Sequence, residues 1–420
     1  MSRAALGAYG LLAGAAVAAA RGTVLLRAAP LQRDERLGKA PPPAGPGRIL
    51  VHAVSAGEVD AASALAFEIA RRAPGTGLVL TTGTAEGRAA AERLRSACPA
   101  VEAVSFLPWD RPVAVRGWLE RLAPALVVTV EAELWPGLFL GARSLGIPVA
   151  VASGRLRPGE ARRYALIRPL FREVLEAVSW IGARSAQERE RFVAIGAEPS
   201  RVEVTGDLKL DAPAPGAELP EGWAEALARG APVVLGESTH APEEGLLLGA
   251  LGRLGEGKAR LVIAPRHGTR AAEVERLARR AGLGVARISG PPSASPVVVV
   301  DRFGMLPALR PHAAVAFLGG TVAPIGGHSP VGAAAAGVPL VAGASTGGVA
   351  EVARALREAG ALLELPGGGD ARTLAEALGR LLSGEAGRRA RGAAGIAAIA
   401  ALRGAAQRTT ARLLPLAGRA

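Results

Sequence analysis

The chain has 420 residues, 50% hydrophobic and 21% charged, with a formal net charge of +13. This is too long for one ordinary core and suits two domains of roughly 150–200 residues each, and the composition excludes a disordered polymer. One cysteine, Cys98, excludes an intrachain disulfide or thiolate cluster, and five scattered histidines lack metal-ligand spacing, so neither a metal nor a cofactor is expected.

The positive charge suits nucleic acid, an anionic membrane surface or phosphorylated small molecules. Aromatics make up only 3% of the chain and no basic tract is interleaved with them, so no nucleic-acid partner is expected. The N-terminus favours the membrane. Residues Ala4–Ala20 carry no charge and form a 17-residue stretch at the low edge of a spanning helix. Arg21, Arg27, Arg33, Arg36 and Lys39 follow, a bias that would hold the rest of the chain on the cytoplasmic side. Residues 1–40 therefore read as a membrane-associated helix with a basic flank. A cleaved signal peptide is the rival, because Arg3, the apolar stretch and Ala18–Ala20 mimic its three regions.

After a stiff PPPAGPG linker at 41–47, strand and helix patterns alternate. In a first domain over 48–211, strands are predicted in Arg48–Val54, Gly77–Thr82, Ala125–Val130, Ile147–Ala152, Trp180–Ala183 and Val202–Thr205. Helices are predicted over Val59–Ala73 and Arg88–Ala97. A second break rich in Pro, Ala and Gly spans Asp211–Pro220. The pattern then restarts over 231–386, with strands in Ala231–Leu235, Arg260–Ala264, Val297–Val300, Ala313–Leu318 and Val338–Ala342. The last stretch, 387–420, is predicted as a helix packing back onto the first domain. Such alternation implies α/β domains with parallel sheets, and ligands in open sheets of this kind sit beyond the carboxyl ends of the strands.

Polar motifs fall at those strand ends. HAVSAGE places Glu58 at a helix start, where it suits a general base or simply the positive end of the helix dipole. EAELWP places Glu131 and Glu133 after a buried strand, as functional carboxylates or as a cap and salt bridge. TGDLKLD carries Lys209, which can reach a phosphate or stand in solvent. GESTH at 236–240 and PRH at 265–267 offer hydroxyls and Arg266 to a ribose or phosphate. Gly319-Gly320-Thr321 and GGHSP at 326–330 would let a phosphate approach the backbone, with a helix from about Val331 pointing its N–H groups at it. Neither the Walker pattern nor GxGxxG is matched.

In order, HAVSAGEV, FLPWDRP, EAELWP, GIPVAVASGRL, TGDLKLD, STH, APRH, GGTVAPIGGHSP and AAGVPL resemble the 3-deoxy-D-manno-octulosonic acid (Kdo) transferases over about residues 1 to 350. The resemblance implies a GT-B fold, two Rossmann-like domains facing a central cleft with an N-terminal apolar helix. It implies inverting, metal-independent transfer of Kdo from CMP-Kdo to a lipid A precursor, in lipopolysaccharide core biosynthesis at the cytoplasmic face of the inner membrane. By the same resemblance Glu58 matches the proton acceptor, and Glu131 and Lys209 match transition-state stabilisers. Pro265, Arg266, Phe303, Gly304, Met305, Ser329, Pro330, Val331 and Gly332 match nucleotide contacts. The family pattern has GEL where this chain reads Gly304-Met305-Leu306, and GGHNPLE where it reads GGHSPVG, so two carboxylates are missing from the nucleotide half. These departures motivate two rival readings: a related GT-B enzyme using another nucleotide sugar, or a weakened non-catalytic homologue.

Overall fold

The computed structural model describes residues 30–42, 45–131, 133–166, 168–213 and 216–419. They form two compact units, one running to Pro213 and resuming at Arg403, the other ending at Leu402. The N-terminal segment 4–20 lies outside the described residues. Among those described, no helix is long and apolar enough to cross a membrane.

The first unit holds seven parallel strands: β1 Ile49–His52, β2 Leu78–Thr82, β3 Val101–Phe106, β4 Leu126–Val130, β5 Val149–Gly154, β6 Trp180–Ala183 and β7 Val202–Val204. Their spatial order is β3-β2-β1-β4-β5-β6-β7. Successive strand residues face opposite layers. Ile49 and Val51 join a cluster with Leu65 and Leu413, while Leu50 joins one with Trp118 and Phe139. Burial on both faces is why these strands read as unbroken apolar runs.

The second unit repeats the plan with β8 Val233–Thr239, β9 Arg260–Pro265, β10 Val285–Arg287, β11 Val297–Val299, β12 Ala313–Leu318, β13 Leu340–Ala342 and β14 Leu362–Glu364. Their order is β10-β11-β9-β8-β12-β13-β14. The strand order reverses between β1 and β4 in the first sheet and between β8 and β12 in the second, where β10 and β11 are in addition transposed at the edge. Loops leaving the carboxyl ends of those pairs flank the crevice where open α/β sheets bind ligands.

The structure differs from the sequence expectation in two ways. Strands β3, β10 and β14 are additional. The stretch 387–420 is not one returning helix: helix Glu385–Leu402 belongs to the second unit, and only helix Ala405–Leu416 packs on the first. Gly404 breaks them at φ +93°, a conformation that suits glycine. Asp211 accepts hydrogen bonds from the N–H groups of Gly404 (2.9 Å) and Ala406 (2.8 Å), capping the returning helix.

Candidate active site

In the first unit, β1 leads through a short turn into helix Ala56–Arg72, with Ser55 as its N-cap. Glu58 accepts hydrogen bonds from the Val54 N–H (2.7 Å) and the Ser55 hydroxyl (3.0 Å). It therefore does serve the helix start. The same carboxylate is half-buried, and burial raises its pKa. The bonds from Val54 and Ser55 oppose the rise, the charge of Glu131 adds to it, and Lys209 opposes it. A carboxylate raised this way is a stronger base than a solvated one.

Glu131 follows β4 at φ +63°. A non-glycine residue there costs about 1–3 kcal/mol and persists only where its surroundings dictate it. Here the Glu131 N–H donates to the Ala152 carbonyl (3.0 Å), and the carboxylate lies 2.5 Å from Lys209 Nζ and 3.9 Å from Arg155. Lys209 is delivered by the turn Leu208–Leu210, which is tied to the end of β5. Asp207 accepts the Lys209 N–H (3.0 Å) and pairs with Arg184 (2.8 Å), while the buried Ser153 hydroxyl accepts the Leu208 N–H (3.2 Å). Ser153 is itself at φ +53°, a second left-handed residue beside the same cluster. A side chain at Gly57 would lie 3.9 Å from Lys209 Nζ, so the ammonium stands over the start of the Glu58 helix. The three residues matched to the chemistry, Glu58, Glu131 and Lys209, are brought together at the β1/β4 reversal.

Glu133 joins them. Burial pushes its pKa up to about 7, the charge of Glu58 adds to the rise, the nearby Trp135 indole opposes it, and Glu131 and Glu160 add smaller repulsions. The following helix, Pro136–Ser144, is held by the buried Asp110 of the FLPWDRP motif. Its carboxylate accepts the N–H groups of Gly137 (2.7 Å) and Leu138 (2.8 Å). A side chain at Gly137 would come within 2.6 Å of that carboxylate, which explains the glycine. Asp110, Ser153, Arg184 and Asp207 are positioning residues that the motif reading does not single out.

In the second unit the glycine-rich run 319–327 follows β12, whereas the GEST of the 236–240 motif lies within β8 itself. Glu243, fully buried, receives five backbone N–H groups: His240, Gly320, Thr321, Val322 and Ala323, at 2.9–3.2 Å. The N–H groups of 320–323 are therefore bound by an internal carboxylate, not presented to a phosphate as their glycines suggest. Gly319 is needed for a different close approach, since a side chain there would sit 2.2 Å from the Ser238 carbonyl oxygen. Ser238 too is left-handed, at φ +52°. Helix Val331–Ala335 is only five residues long, so its dipole is small.

Pro265 ends β9, and the Arg266 N–H donates to the Thr239 carbonyl (3.0 Å), leaving the Arg266 side chain exposed. Around it gather His240, His267 and His328. The His240 and His328 rings lie nearly coplanar and meet edge to edge, with planes 7° apart, centroids 5.1 Å apart and Nε2 atoms 2.8 Å from each other. Burial lowers the pKa of both rings. Phe303 is 92% exposed and Gly304 adopts φ +84°, but the Met305 side chain is buried with Trp223, Leu227 and Leu309. The main chain is the part of Met305 open to a ligand.

The first-unit sequence matches the family model described as "3-Deoxy-D-manno-octulosonic-acid transferase (kdotransferase)" over residues 32–212. A 3-deoxy-D-manno-octulosonic acid transferase of Bordetella pertussis is 35% identical over 393 residues, covering 91% of this chain and 90% of that protein. The chain belongs to the Kdo transferase family. It is thus a glycosyltransferase. Solved structures show the same two-domain GT-B fold at low identity. A UDP-N-acetylglucosamine 2-epimerase structure from Listeria monocytogenes aligns with a TM-score of 0.60 at 14% identity, covering 88% of this chain and 96% of that one. A glycosyltransferase of kitacinnamycin aligns at 0.56 with 16% identity, covering 89% and 100%.

Against that family pattern, this transferase's missing carboxylate at Gly332 has a structural counterpart. A side chain at Gly332 would lie 2.0 Å from the guanidinium of Arg310, which occupies that space. Arg310 is held there by two 2.9 Å hydrogen bonds to Glu237, itself 2% exposed. Ser329 is exposed, Pro330 buried, and Val331 and Gly332 half-buried beside Arg310.

Proposed function

We propose that this enzyme transfers Kdo from CMP-Kdo to a lipid A precursor, with inversion, at the cytoplasmic face of the inner membrane. The observation that carries the reading is the assembled Glu58, Glu131 and Lys209 cluster at the strand-order reversal of a Kdo transferase family member. Glu58 removes the proton from the acceptor hydroxyl, which attacks the anomeric carbon of Kdo. Lys209, aimed by Glu131 and by the Asp207–Ser153–Arg184 scaffold, offsets negative charge that develops in the transition state. Arg266 takes the nucleotide phosphate in the second unit, and Pro265, Phe303, Gly304 and Ser329–Gly332 frame the nucleoside. No divalent metal is required in this scheme, because cationic side chains supply the charge. The formal charge of +13, with the N-terminal apolar segment, supports an anionic membrane surface as the place of work.

A glutamine at position 58 tests the base. The expected result is a loss of about 10²–10⁴ in kcat with donor affinity retained, and near-normal turnover would remove Glu58 from the mechanism. Arg310 in place of the family carboxylate at 332 favours a second reading, a different nucleotide sugar. Calorimetric titration separates the two: saturable binding of CMP-Kdo but not of UDP-N-acetylglucosamine supports the first, and the reverse supports the second.

A further inference from the structure

Three of the five histidines of the chain converge at the carboxyl ends of β8, β9 and β12, although His240 and His328 are 88 positions apart. An Nε2···Nε2 distance of 2.8 Å holds one hydrogen between the rings, so one ring donates and the other accepts. The backbone that carries each ring is fixed. The His240 main-chain N–H donates to Glu243 (2.9 Å), and the His328 main-chain N–H to the Gly319 carbonyl (3.1 Å). Gly320, at φ +73°, leaves room for the His328 ring, which a side chain there would meet at 3.3 Å. His267 stands edge-on to His240, with ring centroids 5.8 Å apart.

The charges facing the pair are Glu243 and Glu244, which favour protonation, and Arg266 and His267, which oppose it. Both carboxylates are already engaged, Glu243 by backbone N–H groups and Glu244 by Arg270 at 3.2 Å. Burial outweighs them and keeps the unliganded pair neutral. An anion arriving beside Arg266 would reverse that balance.

We propose that the His240–His328 pair is the proton store of the phosphate site: it takes up one proton as the anionic donor docks and gives it to the departing phosphate. The inference rests on the nucleotide reading of the second unit. The balance is complete. Glu58 gains the acceptor proton, and the new bond forms from the acceptor oxygen to the anomeric carbon. The carbon–oxygen bond to phosphate breaks with its electron pair on oxygen, and the imidazolium proton moves to the phosphate. CMP leaves as a monoanion and then yields the proton to solvent, because a monoester whose second pKa is about 6 is mostly a dianion at neutral pH.

The test is nitrogen NMR of 15N-histidine-labelled full-length protein at pH 7.5, with CMP as the probe and the signals assigned from H240Q and H328Q. Without CMP, one ring is expected to show a bare Nε2 and the other a bare Nδ1. With CMP bound, that bare Nδ1 is expected to be protonated, so that one ring is an imidazolium still sharing its Nε2 hydrogen with the other, and each variant is expected to lose about a hundredfold in kcat together with the alkaline limb of its pH profile. Calorimetric binding of CMP with unchanged ring signals overturns the inference and leaves the nucleotide reading standing. Absence of CMP binding overturns both. If one variant does not fold, the other still reports the shared proton.

Discussion

Replacing Glu243 by glutamine perturbs one atom and tests the whole organisation of the second unit. In the native protein one carboxylate oxygen accepts the N–H groups of Thr321, Val322 and Ala323, and the other accepts those of His240 and Gly320. An amide retains one accepting oxygen. In its best orientation it keeps three donors and turns an NH2 group on the other two, His240 and Gly320. Hydrogen bonds to a charged group contribute about 1.5–3 kcal/mol each, so losing two costs about 3–6 kcal/mol in this fully buried position. The loss falls on the 319–323 loop and on the backbone that presents His240. Hydrogen-exchange mass spectrometry reads it locally. Amides 320–323 of the variant are expected to exchange at least about a hundredfold faster, with β1–β7 peptides unchanged. Exchange within about threefold of the native rate would refute the view that this carboxylate holds the loop.

Arg310→Ala should destabilise the second unit by about 3–5 kcal/mol, because it leaves Glu237 buried without its partner; urea unfolding checks this, and a shift under 1 kcal/mol would contradict it. Glu133 supplies a pH test. Its folded pKa of about 7 lies above the ordinary value of 4.5, so the folded state holds the extra proton between those values and stability falls as pH rises through that window, levelling off above about 7. The loss is about 3 kcal/mol, and Glu133→Gln should abolish this part of the slope and raise the urea midpoint at pH 8. An unaltered slope in the variant would remove Glu133 as its source. Asp207→Asn should loosen Lys209 from Glu131, lowering kcat about tenfold or more while leaving CMP affinity unchanged; a change confined to CMP affinity would place Asp207 in another role.

The two-domain α/β architecture is legible because strands buried on both faces write themselves as apolar runs, as in Leu126–Val130 and Val149–Gly154. Strand β3 is hidden by the polar residues Glu102 and Ser105 within VEAVSF, and β10 and β14 are three-residue strands at the sheet edges. The break between the last two helices rests on Arg403–Gly404 and on Asp211, a cap far away in sequence. Glu58, Glu131 and Lys209 could be named from their motifs, but spacing alone leaves Glu58 equally suited to a helix start, and the structure shows that it fills that role as well. What the sequence could not show is which partner each polar group meets. The glycines at 319–320 suggest an open phosphate cradle, whereas Glu243 fills it from a helix some 77 positions earlier. Gly332 reads as a lost carboxylate, whereas Arg310 has taken its space.

Glu58-dependent transfer of Kdo can be read directly from the reaction products. Purified protein is incubated with CMP-Kdo and a lipid A precursor, beside the Glu58→Gln variant, and the products are read by mass spectrometry. A lipid heavier by one or more Kdo residues, together with released CMP, is expected from the native enzyme, and almost none from the variant. Native-like yield and rate from the variant, or product only when a UDP-sugar replaces CMP-Kdo, would contradict it.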